Sequence, residues 1–347
     1  MTLDELFKYA KEQKCSDIHI TVGTNLAVRR FGELKILEPA PTAEESRDMI
    51  FSLLDSDQVR KVTSGMDLDA GCMLPDGSRI RINVYHQRNN IAASIRLLND
   101  VIPTFRELNL PPSIEKMLHI PSGLVLITGP TGSGKTTTLA SMIAQINKTR
   151  ACHIMTIEDP IEYVFRRDKA MIHQREVGTD VESFSTALRS SLREDPDIIL
   201  VGEMRDLETI TAAINAAETG HLVFSTLHTS SAVQTIDRII DACPLEGQNQ
   251  MRSQLANVLR GIFSQQLIPM MDGTGRMVAT EVLLNNTAVA NLIREGKTVQ
   301  ITTALQSGSR QGMHTLNSEL ISLISMGFIS REEAMKVSPN PSELERI

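Results

Sequence analysis

The pattern of hydrophobic and polar positions divides the chain into two parts. Up to about residue 98, alternating segments such as RIRINVY (79–85) predict antiparallel strands with one solvent-facing side. Helical spacing in LDELFKYAKEQ (3–13), and a capping box formed by Thr42 and Glu45, predict helices between these strands. This part is therefore predicted to be a small α+β domain.

The second part begins after a proline-containing segment at 99–112, which we interpret as an interdomain linker. Short apolar strands then alternate with helical stretches. The predicted strands are GLVLIT (123–128), HIMTIE (153–158), DIILVGE (197–203) and HLVFSTL (221–227). Such alternation is typical of a largely parallel sheet with crossover helices, so residues 113–347 are predicted to form an α/β domain. From about residue 285 the pattern is helical.

Composition limits the classes of function. The chain has 347 residues and is 41% hydrophobic, which suffices for two cores, and its net charge of 35 − 42 = −7 does not favour nucleic acid as a partner. No apolar run is long enough for a transmembrane segment, and the acidic N-terminal segment does not resemble a signal peptide. The four cysteines form no C-x-x-C pair, which argues against a zinc ribbon. We expect a cytoplasmic protein.

The segment GPTGSGKT (129–136) follows a predicted strand and precedes a predicted helix. It matches the phosphate-loop pattern G-x-x-x-x-G-K-T, in which backbone N–H groups face the phosphates of a nucleotide. Lys135 would reach the β- and γ-phosphate oxygens, and the Thr136 hydroxyl would bind Mg²⁺. We therefore expect ATP and Mg²⁺ as ligands. The residues expected to contact the nucleotide form one continuous run: Gly129, Pro130, Thr131, Gly132, Ser133, Gly134, Lys135, Thr136 and Thr137.

Carboxylates are candidates for catalysis only at the carboxyl ends of the strands, where ligands of parallel sheets bind. Glu203 ends its strand, whereas Asp197 begins the same strand roughly 20 Å away and is expected to shape a turn. Gly202 occupies the position where related strands carry a metal-binding acid. We hypothesise that Glu158 or Asp159 orients Mg²⁺ through its waters, and that Glu203 polarises the attacking water. The alternative is that Glu158 and Asp159 only cap a turn.

The strand HLVFSTL is followed by His228. A polar group at this end of a central strand can sense the γ-phosphate by gaining or losing a hydrogen bond, so His228 is a candidate sensor. A satisfied core histidine is the alternative. His221, at the opposite end of the strand, is expected to be structural.

Together these motifs resemble the type II/IV secretion ATPase superfamily, and within it the ATPases that retract type IV pili in twitching motility. The resemblance covers nearly the whole chain. It includes the phosphate loop and the segments TIEDPIEYVF, DPDIILVGEMRD, HLVFSTLHTSSA and RINVYHQRNNIAASIRLL. It implies a PAS-like N-terminal domain (1–98), and a RecA-like ATPase domain (113–347) with a helical C-terminal region. It also implies a homohexamer that hydrolyses MgATP, with Arg81 and Arg96 directed toward the nucleotide.

The resemblance further implies that ATP hydrolysis drives pilin depolymerisation, and that the partner is an inner-membrane pilus platform protein. Assembly and type II secretion ATPases usually carry a tetracysteine zinc element, which this sequence lacks. Retraction ATPases carry the motif AIRNLIRE. In AVANLIRE (288–295), the residues Asn291, Leu292, Ile293, Arg294 and Glu295 match, while Ala290 replaces an arginine. Three alternatives remain open: an assembly or secretion motor, a nucleotide-gated scaffold that hardly hydrolyses ATP, and a nucleic-acid translocase.

Overall fold

The computed structural model describes residues 1–30, 33–98 and 101–345, and the chain divides into two compact units. Unit 1 comprises Met1–Val101 and Pro160–Val164, and unit 2 comprises Ile102–Asp159 and Phe165–Ile347. Pro160–Val164, which directly follows Glu158 and Asp159 in the chain, thus clusters with the N-terminal part of the sequence. Asn99 and Asp100, where the linker is predicted to begin, lie outside the described residues.

Unit 1 is an antiparallel sheet with helices. Its elements are α1 (Leu3–Glu12), β1 (Asp17–Thr21), β2 (Ala27–Arg30), β3 (Glu33–Ile36), α2 (Ala43–Phe51), α3 (Ser56–Thr63), β4 (Leu68–Met73), β5 (Arg79–Gln87) and β6 (Asn90–Leu97). The six strands described in this unit are ordered β3-β2-β1-β6-β5-β4. In β5, Ile80, Ile82 and Val84 are fully buried while Arg81 and Asn83 are half-buried, as the alternation predicts. Helix α2 begins at the predicted capping box.

Unit 2 is an α/β layer structure. Its elements before the last two strands are α4 (Pro112–Met117), β7 (Gly123–Thr128), α5 (Lys135–Thr149), β8 (His153–Glu158), β9 (Met171–Glu176), α6 (Phe184–Ser191), β10 (Ile198–Val201), α7 (Leu207–Glu218), β11 (Leu222–Leu227), α8 (Ala232–Asp241) and α9 (Gln248–Val258). The remaining elements are β12 (Leu259–Pro269), β13 (Arg276–Leu284), α10 (Thr287–Arg294), α11 (Ile301–Ser307), α12 (Leu316–Ser325), α13 (Arg331–Val337) and α14 (Pro341–Leu344). Short 3-10 turns occur at Leu245–Gly247, Thr298–Gln300 and Ser309–Gln311.

The seven strands described in unit 2 are ordered β13-β12-β7-β11-β10-β8-β9 and are parallel except where β12 pairs with β13. Every residue of β7, β8, β10 and β11 is buried, because helices cover both faces of the sheet. The strand order brings the carboxyl ends of these four strands to one edge. The predicted fold class, a PAS-like α+β domain followed by a RecA-like α/β domain, is confirmed.

The C-terminal region is helical from α10 onward, as predicted. Val289, Ala290 and Ile293 are buried on α10, whereas Asn291 and Arg294 are exposed. Across residues 1–30, 33–98 and 101–345, no helix combines the length and the apolar character needed to cross a membrane.

Candidate active site

The phosphate loop connects β7 to α5, which is the strand-loop-helix context that its sequence predicts. Gly129 has a φ of 146°. A Cβ at this position would lie 2.3 Å from the Gln265 backbone oxygen and 2.5 Å from Ser133 Oγ. Only glycine fits here, because neither a backbone oxygen nor a loop side chain at such a distance can tolerate an added carbon. The first residue of the loop is therefore tightly packed against Gln265 and Ser133.

Lys135 is the first residue of α5 and is buried. Its Nζ donates hydrogen bonds to the backbone oxygens of Gly129, at 2.9 Å, and Pro130, at 3.0 Å. The ammonium group therefore lies across the loop rather than in solvent. Thr136 and Thr137 follow in the first helical turn and are half-buried. Backbone N–H groups at the start of such a helix, together with this charge, favour bound phosphate.

Glu203 lies two residues beyond the end of β10 and has a side chain that is 16% exposed. Its Oε1 is 2.7 Å from Arg205 Nε, and its Oε2 is 3.5 Å from His228 Nε2. The other ring nitrogen of His228, Nδ1, is 3.5 Å from Thr131 Oγ1 in the phosphate loop. The structure therefore brings Glu203, His228 and the phosphate loop together, at the edge where the strands end.

Gly202 is held between two neighbouring strands. Its N–H donates to the Ile157 oxygen of β8 at 2.8 Å, and its oxygen accepts from Thr226 Oγ1 of β11 at 2.6 Å. A Cβ here would lie 3.3 Å from the Ile157 oxygen and 3.5 Å from Glu158 Cα. Contacts of 3.3 Å to a backbone oxygen are crowded, so an acid at position 202 would require β8 to move. The close approach of β8 therefore disfavours a side chain at position 202.

Glu158 ends β8 next to this point, and its carboxylate is buried. Its Oε1 accepts hydrogen bonds from Thr156 Oγ1 at 2.7 Å and from Gln174 Nε2 at 3.3 Å. Asp159, the next residue, is exposed. The two acids therefore occupy different environments: the Glu158 carboxylate is bonded to Thr156 of its own strand and Gln174 of β9, and Asp159 is exposed to solvent.

The donor atoms at this edge suit Mg²⁺. The Thr136 hydroxyl and the Glu158, Asp159 and Glu203 carboxylates supply oxygen, which this cation prefers. Within the part of the chain that the structure describes, no cluster of three or more His, Cys, Asp or Glu residues could hold a metal ion. That finding is compatible with phosphate-loop enzymes, since Mg²⁺ there is held by few protein groups together with substrate phosphates and water.

Arg81 and Arg96 lie in unit 1, where they are direct cross-strand neighbours on β5 and β6. Arg81 makes a bidentate contact with Asp69, with Nε–Oδ1 at 3.0 Å and Nη2–Oδ2 at 2.6 Å. Arg96 Nε donates to Asp17 Oδ1 at 3.1 Å. Both guanidinium groups are partly exposed, on the wet face that the sequence pattern predicts. Each arginine is thus oriented by an aspartate of its own sheet.

Asp197 lies at the opposite end of β10 from Glu203. Its Oδ2 accepts the backbone N–H of His153 at 2.8 Å, and its own backbone pairs with His153 and Leu222. His221, which precedes β11, contacts the Ala216 oxygen through Nδ1 at 2.9 Å. Asp197 and His221 therefore lie at the amino ends of β10 and β11, where they bond to neighbouring backbone atoms. This edge of the sheet is opposite the phosphate loop, so we assign both residues a structural role.

Replacing Asp197 with alanine should lower the free energy of unfolding by about 1–3 kcal/mol and leave ATP turnover within about twofold, because the buried His153 N–H loses its acceptor. Urea unfolding followed by circular dichroism, together with a phosphate-release assay, measures both quantities. A large loss of turnover with unchanged stability would contradict the structural assignment.

Several polar residues of unit 2, two of them bonded to the candidate site carboxylates Glu203 and Glu158, carry no signal in the sequence. Arg205 is two residues from Glu203 in sequence, but no spacing rule links an exposed arginine to that carboxylate. Gln174 lies on β9, a strand that the pattern did not predict. Glu281 on β13 is buried and accepts the Ala232 N–H at the start of α8, at 2.8 Å. Burial raises the pKa of the Glu281 carboxyl, although donation from the N–H groups of Ala232 and Leu316 opposes the rise.

A phosphate loop between a buried strand of a mainly parallel sheet and the helix that follows it, with a glutamate and a histidine at neighbouring strand ends, defines a RecA-like P-loop ATPase. The chain belongs to the type II/IV secretion system protein family, whose model matches residues 1–316.

Relatives and solved structures agree with this family. The chain is 42% identical over 342 residues to the type IV pilus retraction ATPase PilT of Pseudomonas aeruginosa, covering 98% of this chain and 99% of that protein. It is 44% identical over 318 residues to a twitching motility protein of Neisseria gonorrhoeae, covering 91% and 85% respectively. A crystal structure of the pilus retraction motor PilT with bound ADP superposes with a TM-score of 0.93, at 47% identity and full coverage of both chains.

Proposed function

We propose that this chain is an ATP-hydrolysing motor that powers type IV pilus retraction and twitching motility. The observation that carries the proposal is the contact series from Glu203 through His228 to Thr131, which places a carboxylate and a histidine beside the phosphate loop. Similarity to a pilus retraction ATPase over 98% of this chain, and to a twitching motility protein over 91% of it, supports retraction rather than assembly.

In the proposed reaction, the backbone of residues 129–137 and the Lys135 ammonium hold the triphosphate. Glu203 polarises the attacking water. Its largely buried carboxylate lies beyond the end of β10, beside the phosphate loop. His228 contacts both Glu203 and the loop, so a change at the γ-phosphate can alter its hydrogen bonds. His228, at the end of β11, would thereby sense whether the γ-phosphate is present.

Bound Mg²⁺ would neutralise charge on the β- and γ-phosphates. We propose that Thr136 binds it and that Glu158 or Asp159 orients its water shell. Glu158 is favoured because Thr156 and Gln174 fix its carboxylate in place before substrate arrives. The exposed Asp159 is the second candidate.

We further propose a homohexamer in which Arg81 and Arg96 of the PAS-like domain are directed toward a nucleotide. The proposed domains are 1–98 and 113–347, joined by a linker at 99–112. Asp69 and Asp17 hold the two guanidinium groups on one face of their sheet, which orients both charges the same way. The working location is the inner face of the cytoplasmic membrane, against a membrane-embedded pilus platform protein.

Purified protein should form hexamers and release phosphate from MgATP. Light scattering coupled to size-exclusion chromatography measures the mass, and a phosphate-release assay measures turnover. Tight ATP binding by an intact hexamer without phosphate release above background would support a nucleotide-gated scaffold instead. Stimulation of hydrolysis by DNA at low salt would support a translocase.

A further inference from the structure

Strand β12 lies beside β7, the strand that leads into the phosphate loop. The two strands are parallel neighbours in which Ser264 is aligned with Thr128, and the hydroxyl oxygens of these residues are 2.8 Å apart. Gln265 follows Ser264 and is therefore level with Gly129, the first loop residue. The 2.3 Å separation between the Gln265 backbone oxygen and a Cβ built on Gly129 shows how tightly β12 packs against the loop.

The side chain of Gln265 joins the loop to the helix that follows it. Its Nε2 donates to the Ser133 backbone oxygen at 2.7 Å, and its Oε1 accepts from Thr138 Oγ1 at 3.1 Å. Gln265 is 1% exposed and Thr138 is also buried. Both ends of the amide are thus hydrogen-bonded in a buried position, where an unpaired polar group is costly.

These hydrogen bonds set the direction of a loop N–H group. In a trans peptide the carbonyl and the following N–H point in opposite directions. Because Gln265 holds the Ser133 carbonyl, the Gly134 N–H is turned away from β12. Backbone N–H groups of this loop are the donors that a phosphate loop offers to its nucleotide.

We propose that Gln265 is a positioning residue for the nucleotide phosphates. It fixes the Ser133–Gly134 peptide and the first turn of α5 without touching the nucleotide itself. This inference rests on the proposed function, because it assumes that the loop binds ATP.

The test uses the full chain with three substitutions of Gln265 or its partner. Gln265→Glu preserves size, and its ionised carboxylate cannot donate to the Ser133 carbonyl. Thr138→Val removes the other hydrogen bond, and Gln265→Ala removes both. We expect Gln265→Ala and Gln265→Glu to weaken ATP binding about 5- to 100-fold, and Thr138→Val to weaken it less. Titration with a fluorescent ATP analogue measures affinity, and the rise in melting temperature on adding ATP reports binding independently. KM should rise more than kcat falls.

Gln266→Ala is the matched control, since this neighbouring glutamine is half-buried and strand alternation turns it to the other face. It should leave ATP affinity within about twofold. Wild-type affinity in Gln265→Glu and Thr138→Val, with only a lower melting temperature in the absence of nucleotide, would overturn the inference and leave the ATPase proposal intact. Failure of the wild-type protein to bind the analogue would overturn both. The two near-isosteric variants keep the test decisive if Gln265→Ala does not fold.

Discussion

Replacing Glu203 with glutamine should lower ATP turnover by about 10²- to 10⁴-fold, because glutamine cannot accept a proton from the attacking water. The substitution keeps the size of a side chain that is 16% exposed and packed between Arg205 and His228. ATP affinity should stay within a few-fold of the wild type, since the phosphate loop is unchanged. Steady-state phosphate release and analogue binding separate these two effects.

Glu208→Gln is the control for charge removal near the site. Glu208 is 69% exposed and pairs with Arg189 on the helix surface, so its loss should leave turnover within about twofold. Unaltered turnover in Glu203→Gln would remove Glu203 as the residue that activates water. Equal losses in both variants would point to a general electrostatic effect.

Replacing Lys135 with alanine should reduce turnover by about 10²- to 10³-fold and weaken ATP binding as well, because the site loses the only charge that the loop directs at the phosphates. In the structure this ammonium group is already held over the loop by the Gly129 and Pro130 carbonyls. A positioned charge stabilises both the bound triphosphate and the charge that develops during its cleavage. Binding and turnover should therefore fall together, unlike the result expected for Glu203→Gln.

Lys148→Ala provides the comparison, since Lys148 lies in the last turn of the same helix, α5, and is exposed. Turnover and ATP affinity should both remain within about twofold. If Lys135→Ala bound ATP like the wild type, the nucleotide would have to be held elsewhere.

The direction of the strands allowed the carboxylate and histidine of the candidate site to be selected from the sequence. A parallel sheet places every carboxyl end at one edge, so Glu203 and His228 could be separated from Asp197 and His221 by position alone. The structure bears out this separation, with Asp197 bonded to the His153 backbone at the far end. The phosphate loop needed only its local pattern, because its function resides in consecutive backbone N–H groups.

Contacts between distant segments could not be predicted in this way. Gln265 reaches a loop 132 residues earlier in the chain, and its strand is paired with β7 only through the folded topology. From the sequence, Gly202 stands where an acidic residue is expected. Only the position of β8 in the folded structure shows that a side chain there would be crowded. The separation of Glu158 from Asp159 by burial likewise depends on the placement of β9 and Gln174.

The C-terminal segment departs from the retraction motif AIRNLIRE at Ala290, which replaces arginine, and at Val289, which replaces isoleucine. Ala290 is buried on α10, next to the fully buried Val289. The exposed Arg294, which the motif retains, donates to Asn291 Oδ1 at 2.9 Å and to Asn257 Oδ1 of α9 at 2.8 Å. The motif residues Asn291 and Arg294 thus form a surface pair beside α9, and alanine at position 290 fits the buried side of the helix.

The most direct measurement is a count of surface pili and twitching in the native host after deletion of the gene. If the chain powers retraction, pili should remain or become more abundant while twitching is lost, and the wild-type gene should restore twitching whereas Glu203→Gln should not. Loss of surface pili on deletion would contradict retraction and assign the motor to assembly. Restoration of twitching by Glu203→Gln would contradict ATP hydrolysis at this site as its source of power.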